Sequence, residues 1–286
     1  QLYFIFYVLP DLNIVLSPCF IFGVAFFPEL GVTGAAVGTT IGRGIGVTYA
    51  AWRLFRPGGR VHVGREAWRL DPGLLWKLLK LSSTAVFQLL VATASWTALM
   101  PIMAGFGEVA IAGYVIALRV VMFALLPALG LSNAAATMVG QNLGAGKPER
   151  AEAAVWKAGW FNAAFYFLIG VIFWLFSNAI IGIFTTEPEV LRYGTSALHI
   201  IAYGFAFYGL GMVLETAFNG AGDTRTPTFL NLLIFWIFEI PLAYVLAYRF
   251  GMGPDGVFWA ITLAFSLLAI ASGLLFRRGT WKEKVV

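Results

Sequence analysis

Polar positions along this chain are sparse and clustered, and long apolar runs lie between the clusters. Eight runs are long enough to cross about 30 Å of hydrocarbon at about 1.5 Å per helical residue. They fall at roughly 2–24, 31–55, 82–105, 110–140, 157–184, 190–218, 228–250 and 256–276. Residues 219–228, N-G-A-G-D-T-R-T-P-T, separate the sixth from the seventh, and residues 139–151, V-G-Q-N-L-G-A-G-K-P-E-R-A, separate the fourth from the fifth. A chain in hydrocarbon bends only where its backbone groups find partners, so such Gly-rich polar hinges mark the ends of spans. The third run is led in by residues 74–80, L-L-W-K-L-L-K, an amphipathic stretch expected to lie in the membrane interface.

Composition agrees with this pattern. The chain is 60% hydrophobic and 12% charged, with a mean hydropathy of +0.83. Soluble domains carry about twice that charge, so the fold class is all-α, a polytopic transmembrane helix bundle. The apolar start at residues 2–7 has neither a charged n-region nor a small-residue cleavage site, and it is not read as a signal peptide. The only cysteine, Cys19, sits in an apolar run and reads as packing. Two histidines, His62 and His199, argue against a histidine metal site, although His199 suits a lone proton relay. No GxSxG, HExxH, CxxC or phosphate-binding loop occurs. No catalytic residue, metal or cofactor is therefore expected, and the chain is not read as an enzyme.

The net charge of +5 follows the loops and does not point to nucleic acid. Arg53, Arg56, Arg60, Arg65, Arg69, Lys77 and Lys80 lie between the second and third runs. Lys147, Arg150, Lys157, Arg225, Arg277, Arg278, Lys282 and Lys284 fall on the same side, which leaves only Arg192 and Arg249 on the other. The positive-inside rule then places both hinges and the C-terminus in the cytoplasm.

Residues 28–39 follow one span and open the next, and residues 251–262 do the same about 222 positions later in the same orientation. A repeat of equal orientation implies two halves related by a pseudo-two-fold axis along the membrane normal. Residues 1–55 then supply the last two helices of an N-terminal lobe, 56–73 a cytoplasmic linker, and 74–286 a six-helix C-terminal lobe. The eight helices would belong to twelve, with four expected upstream.

The hinges in this order and spacing, together with N-I-V-L-S-P-C-F-I-F-G from Asn13 to Gly23 and P-E-L-G-V before G-A-A, resemble the multidrug and toxic compound extrusion (MATE) exporters over nearly the whole chain. The resemblance implies an antiporter that exports organic, often cationic, compounds by alternating access, in exchange for protons or sodium. It also implies a bacterial inner-membrane protein acting as a monomer of the full-length chain, with the lipid bilayer and a small organic substrate as its partners. In many prokaryotic members the position of Ser17 is an Asp, which forms a cation or proton site with the residues matching Asn13 and Thr39. Serine offers an oxygen but cannot titrate. Some members carry an acid in the first helix of the second lobe, where the nearest match is Gln88.

Charges inside spans are costly and so become candidates for function. Asp11 and Arg43 lie at similar depth in adjacent spans, and Arg119 and Glu239 lie at similar depth in the fourth and seventh. Each couple is expected to form an ion pair, structural or proton-linked. Asp11 is no simple substitute for Ser17, since six residues place it about 120° round the helix. Glu215 shares a stripe with Gly204, Tyr208 and Gly211, which suits an organic cation through charge and cation–π contact. The coupling candidates are thus Asn13, Ser17, Thr39, Asp11, Arg43, Arg119 and Glu239, and the substrate-cavity candidates are Gln88, Tyr208 and Glu215. The glycines of the two hinges read as helix ends, with Asp223 capping the next helix. A flippase of lipid-linked saccharides, from the same wider superfamily, is the alternative, because Arg43 and Arg119 would suit lipid phosphates. A membrane-embedded enzyme or scaffold is a third reading; the missing catalytic motifs argue against the enzyme, and a scaffold leaves the buried charges unexplained.

Overall fold

Two small-residue stripes show how the helices of this protein come together. In hydrocarbon no hydrophobic force draws helices to each other, so close backbone approach at Gly, Ala and Ser does most of the work. Gly34, Gly38 and Gly42 form such a stripe on α2 (Val32–Phe55), and Gly256, Ala260, Ala264 and Ser272 form another on α10 (Pro254–Arg278). The computed structural model describes residues 9–24, 27–55 and 71–283. Most of the linker 56–73 lies outside these residues, as do His62, Trp68, Lys284 and the side chain of Asp11.

The chain divides into two compact units, Gln1–Leu75 and Trp76–Val286. In the first, α1 (Leu9–Phe22) packs on α2. The second contains most of α3 (Pro72–Ala98), then α4 (Met100–Ala104), α5 (Glu108–Gly144), α6 (Pro148–Gly182) and α7 (Pro188–Gly220). The next span begins as α8 (Arg225–Asn231), widens into π turns over Leu232–Glu239, returns to α9 (Ile240–Tyr244) and widens again over Val245–Arg249. Pro241 lies between the two π segments. Proline lacks an N–H and crowds the preceding turn, and a locally widened helix accommodates it. α10 and a 3-10 turn, Thr280–Glu283, complete the unit.

Six spans among the described residues are long and apolar enough to cross a membrane: Pro72–Ala104, Glu108–Gly144, Pro148–Gly182, Pro188–Gly220, Arg225–Arg249 and Pro254–Arg278. Their outward faces are apolar too. Trp160, Phe161, Phe167 and Leu168 of α6 are each more than half exposed, as lipid-facing side chains are. α2 is nearly as long as the shortest of these, at 24 residues, but rich in Gly and Thr, and α1 has 14 described residues.

The amphipathic stretch 74–80 belongs to α3 itself and is not a separate element. Both hinges are also shorter than their polar composition suggests. α7 runs to Gly220 and α8 starts at Arg225, which leaves four residues between them; Ala145 to Lys147 separate α5 from α6. Gly220 allows α7 to press on α5, since a Cβ there would fall 2.8 Å from Ala136 Cα. Gly222 turns the chain with φ of 76°. Asp223 accepts from the Thr226 N–H at 3.4 Å and from its hydroxyl at 2.8 Å, closing the first turn of α8.

A tryptophan beside the basic cytoplasmic end of a span is expected to anchor at the membrane interface, and Trp281, which follows Arg277 and Arg278, departs from that place. It is fully buried, stacks on Phe276 with centroids 4.5 Å apart, and donates its indole N–H to the Phe276 carbonyl at 2.9 Å. Gly279, at φ 76°, folds the chain back beneath Phe276 to place it there.

Candidate functional site

In the second unit the helices leave a cavity of about 530 Å³ between α3, α5, α7, the Leu232–Glu239 segment and α10. Trp96, Leu118, Met122, Phe235, Phe265 and Leu268 are among the apolar side chains of its wall. Thr93, Thr97, Tyr208 and Glu215 supply the polar groups, and no basic side chain lines it. This is the usual chemistry of an organic-ligand site, a mostly apolar wall with a few placed polar groups.

The spacing of α7 puts Tyr208, Gly211 and Glu215 on one stripe, and all three face the cavity. Gly204 departs from the stripe's expected role. It is buried against α10, where a Cβ would fall 2.6 Å from Thr262 Cγ2. The Tyr208 ring stacks on Phe265 with centroids 4.0 Å apart. Gln88 of α3 donates its amide to Glu215 Oε1 at 3.4 Å. Asn231, 2% exposed, interacts with the same carboxyl while its own Oδ1 has no partner. Sequence reading missed Asn231, although a lone amide inside the apolar run F-L-N-L-L-I was a visible signal. α3 is also held by Trp236, whose indole N–H donates to the Val91 carbonyl at 3.0 Å, and by Tyr114, whose hydroxyl donates to the Trp96 carbonyl at 3.3 Å.

The expected Arg119–Glu239 ion pair does not form. Arg119 is exposed on the side of α5 away from the buried Tyr114, Ala117 and Val121. Glu239 is 1% exposed, and its Oε2 has no partner. Equal depth did not make a pair, because the two side chains leave their helices in different directions.

The first unit brings Asn13, Ser17 and Thr39 together. The Ser17 hydroxyl donates to Asn13 Oδ1, and the Asn13 amide donates to Thr39 Oγ1 at 3.3 Å. Gly38 and Gly42 make room for this, since Cβ atoms there would fall 2.9 Å from Ser17 Cα and 3.4 Å from Asn13 Cβ. The cluster is neutral: it offers oxygens to a cation but cannot release a proton. Arg43 is exposed, and the pairing proposed for it with Asp11 lies outside the described residues. Among the described residues no group of three or more His, Cys, Asp or Glu is placed to hold a metal.

Known proteins resemble the chain over almost its whole length. It is 28% identical to a probable multidrug resistance protein NorM of Thermotoga maritima, over 96% of this chain and 59% of that protein. It is 27% identical to a probable multidrug resistance protein YpnP of Bacillus subtilis, over 95% of this chain and 59% of that protein. The chain therefore spans about 59% of the length of these relatives. The crystal structure of a Vibrio cholerae MATE transporter, a mutant of VcmN, shares the fold, with a TM-score of 0.87 over 98% of this chain and 62% of that one at 24% identity. Its bent form gives 0.83 over 96% and 61% at the same identity. A family model described as MatE matches residues 85–245, more than half of the chain and most of the unit that holds the cavity, and this integral membrane protein belongs to that family.

Proposed function

We propose that this chain forms part of a secondary antiporter that exports organic, often cationic, compounds in exchange for inward-moving protons or sodium. One observation carries the reading: a single carboxylate, Glu215, lies in the wall of a 530 Å³ cavity whose remaining lining is aromatic, aliphatic or neutral polar. An organic cation gains there from apolar burial, from charge opposite Glu215 and from the faces of Trp96 and Tyr208. The relatives' names, probable multidrug resistance proteins, support the same reading. The lack of a basic group in the cavity, with Arg119 exposed outside it, weighs against anionic lipid phosphates as cargo.

In this reading α1 and α2 are the last two helices of a first lobe and residues 74–286 are the second lobe. The basic loops and the C-terminus face the cytoplasm of a bacterial inner membrane. Tyr208, Glu215 and Gln88 form the substrate wall. The Asn13–Ser17–Thr39 cluster binds at most through neutral oxygens, so within this chain proton exchange falls to the second unit. The test is efflux of a fluorescent organic cation from an exporter-deficient host that expresses the full reading frame containing this chain. Proton and sodium gradients are collapsed separately. Efflux abolished by one collapse supports antiport, and efflux indifferent to both refutes it.

A further inference from the structure

The helix pair of the first unit recurs in the second, and the register of the recurrence gives Glu239 a role. Gly31 and Gly253 both have positive φ, 57° and 61°, and each stands just ahead of a helix, α2 or α10. Three residues later, Gly34 and Gly256 each press on the backbone of the preceding helix. A Cβ on Gly34 would fall 2.8 Å from Ile21 N, and one on Gly256 would fall 2.6 Å from Ala247 N. Thus α1 with α2 corresponds to Leu232–Arg249 with α10. Along α2, Gly38 meets Ser17 and Gly42 meets Asn13. The equivalent positions on α10 are Ala260 and Ala264, both fully buried. Asn13 lies eight residues before Ile21, and Glu239 lies eight residues before Ala247. By this count Glu239 falls near the level in the second unit that Asn13 holds in the first, and Ala243 near that of Ser17, with an offset from the widened turns at Val245–Arg249.

The surroundings of Glu239 are unlike those of Asn13. Asn13 has two hydroxyl partners, whereas Glu239 Oε2 is buried with none. The titratable groups facing it are Tyr114 from α5 and Tyr208 from α7. The Tyr114 hydroxyl is committed to the Trp96 carbonyl. α10 carries its titratable groups only at its ends, Asp255, Arg277 and Arg278, and Asp255 accepts from Ser196 at 2.7 Å. Arg225, at the start of α8, is exposed more than three helical turns before Glu239. No cation faces the carboxyl among the described residues.

We propose that Glu239 is a proton-binding site of the second unit, filled by H⁺ and not by Na⁺, and that this proton takes part in the exchange for substrate; the second clause rests on the antiport reading above. A hard cation such as Na⁺ needs several oxygen ligands, as such ions do in proteins generally. Ala243 and Ile261, at the equivalents of Ser17 and Thr39, offer none, and neither do Ala260 and Ala264 at the equivalents of Gly38 and Gly42. A proton needs only Oε2: an O–H bond forms there with a proton taken from water and breaks to return it to water, so no other reactant is required. Tyr208 links this site to the cavity, since it lines the cavity and lies within electrostatic reach of both Glu215 and Glu239.

The experiment has two arms. Infrared difference spectra of the purified full-length protein in liposomes are recorded as the pH is raised. A carbonyl band from a protonated carboxyl should disappear on titration, be missing from Glu239→Gln and remain in Glu215→Gln. In the full-length protein, proton-driven efflux should be lost in Glu239→Gln, restored in part by Glu239→Asp, and indifferent to sodium. A wild-type spectrum without the band, or a band unchanged in Glu239→Gln, overturns the site. Efflux driven by sodium alone overturns the choice of ion. A titrating Glu239 band in a protein that exports nothing leaves the site standing and removes the antiporter reading. Glutamine has nearly the same volume, and an unaltered unfolding midpoint for Glu239→Gln checks that the fold survives.

Discussion

The Gln88 amide reaches the Glu215 carboxylate at 3.4 Å and ties α3 to α7 at the edge of the cavity. Gln88 cannot change its charge, so the cavity's response to a cation depends on Glu215. Glu215→Gln keeps the shape and removes the charge. Opposite unit charges about 4 Å apart attract by about 4 kcal/mol in the partly screened setting of a protein, before the cost of desolvation, which predicts a fall in affinity for a quaternary ammonium ligand of at least about 10-fold. A neutral analogue of the same shape should lose less than about 2-fold. Fluorescence titration of the purified chain compares the two. Equal losses for both ligands would mean that the carboxylate only shapes the wall.

Trp281 and Lys282 are neighbours with very different expected effects. Trp281 is fully buried among Phe276, Phe218 and Val139. Lys282 pairs with Glu152 at 2.6 Å, but both side chains keep more than a quarter of their surface in solvent. Trp281→Ala should cost about 3–5 kcal/mol, as loss of a large buried ring does. Lys282→Ala should cost no more than about 1 kcal/mol, the usual limit for a solvated ion pair. Denaturant unfolding in detergent, followed by tryptophan emission, measures both.

Gly220 and Gly144 end neighbouring helices, yet alanine should act on them with opposite sign. A methyl at Gly220 meets the Ala136 backbone, whereas at Gly144 nothing lies within 4 Å. Gly220→Ala forces α5 and α7 apart at an expected cost of about 1–3 kcal/mol. Gly144 has no positive φ, so Gly144→Ala should stabilise by about 0.4–1 kcal/mol by restricting the unfolded chain. Paired melting curves decide, and a loss at Gly144 would show that its surroundings are tighter than they look.

The spans, the family and the Tyr208–Glu215 stripe were legible because each rests on a local pattern. A run of apolar residues sets a helix, and a spacing of seven along a helix sets a shared face. The Asn13–Ser17–Thr39 cluster was reachable through the resemblance. The Arg119–Glu239 pair failed because depth fixes height along the membrane normal and not direction around a helix. Trp281 was misplaced because one glycine, Gly279, reverses the chain and turns an apparent anchor into core. The π turns beside Pro241 were equally hidden, since apolar composition does not distinguish 3.6 residues per turn from a wider coil. They matter because eight residues of that segment set the level of Glu239 relative to α10.

The Trp236 indole offers a test of how α3 is held. Its N–H donates to the Val91 carbonyl at 3.0 Å, on the α3 turn beside Ala92 and Thr93 of the cavity wall. Trp236→Phe keeps an aromatic ring and deletes the donor. Hydrogen bonds between membrane helices average about 0.6 kcal/mol and reach about 1.7. The fold should therefore survive while α3 opens more often. A cysteine at Thr93, exposed on the cavity side, reports this through its rate of reaction with a membrane-permeant thiol reagent. Trp236→Phe should raise that rate by about 3- to 18-fold, the range those energies allow if the bond breaks whenever α3 opens. An unchanged rate would assign the hold on α3 to the other two bonds, from Gln88 and Tyr114, and the double variant Trp236→Phe with Tyr114→Phe would then be the one to loosen it.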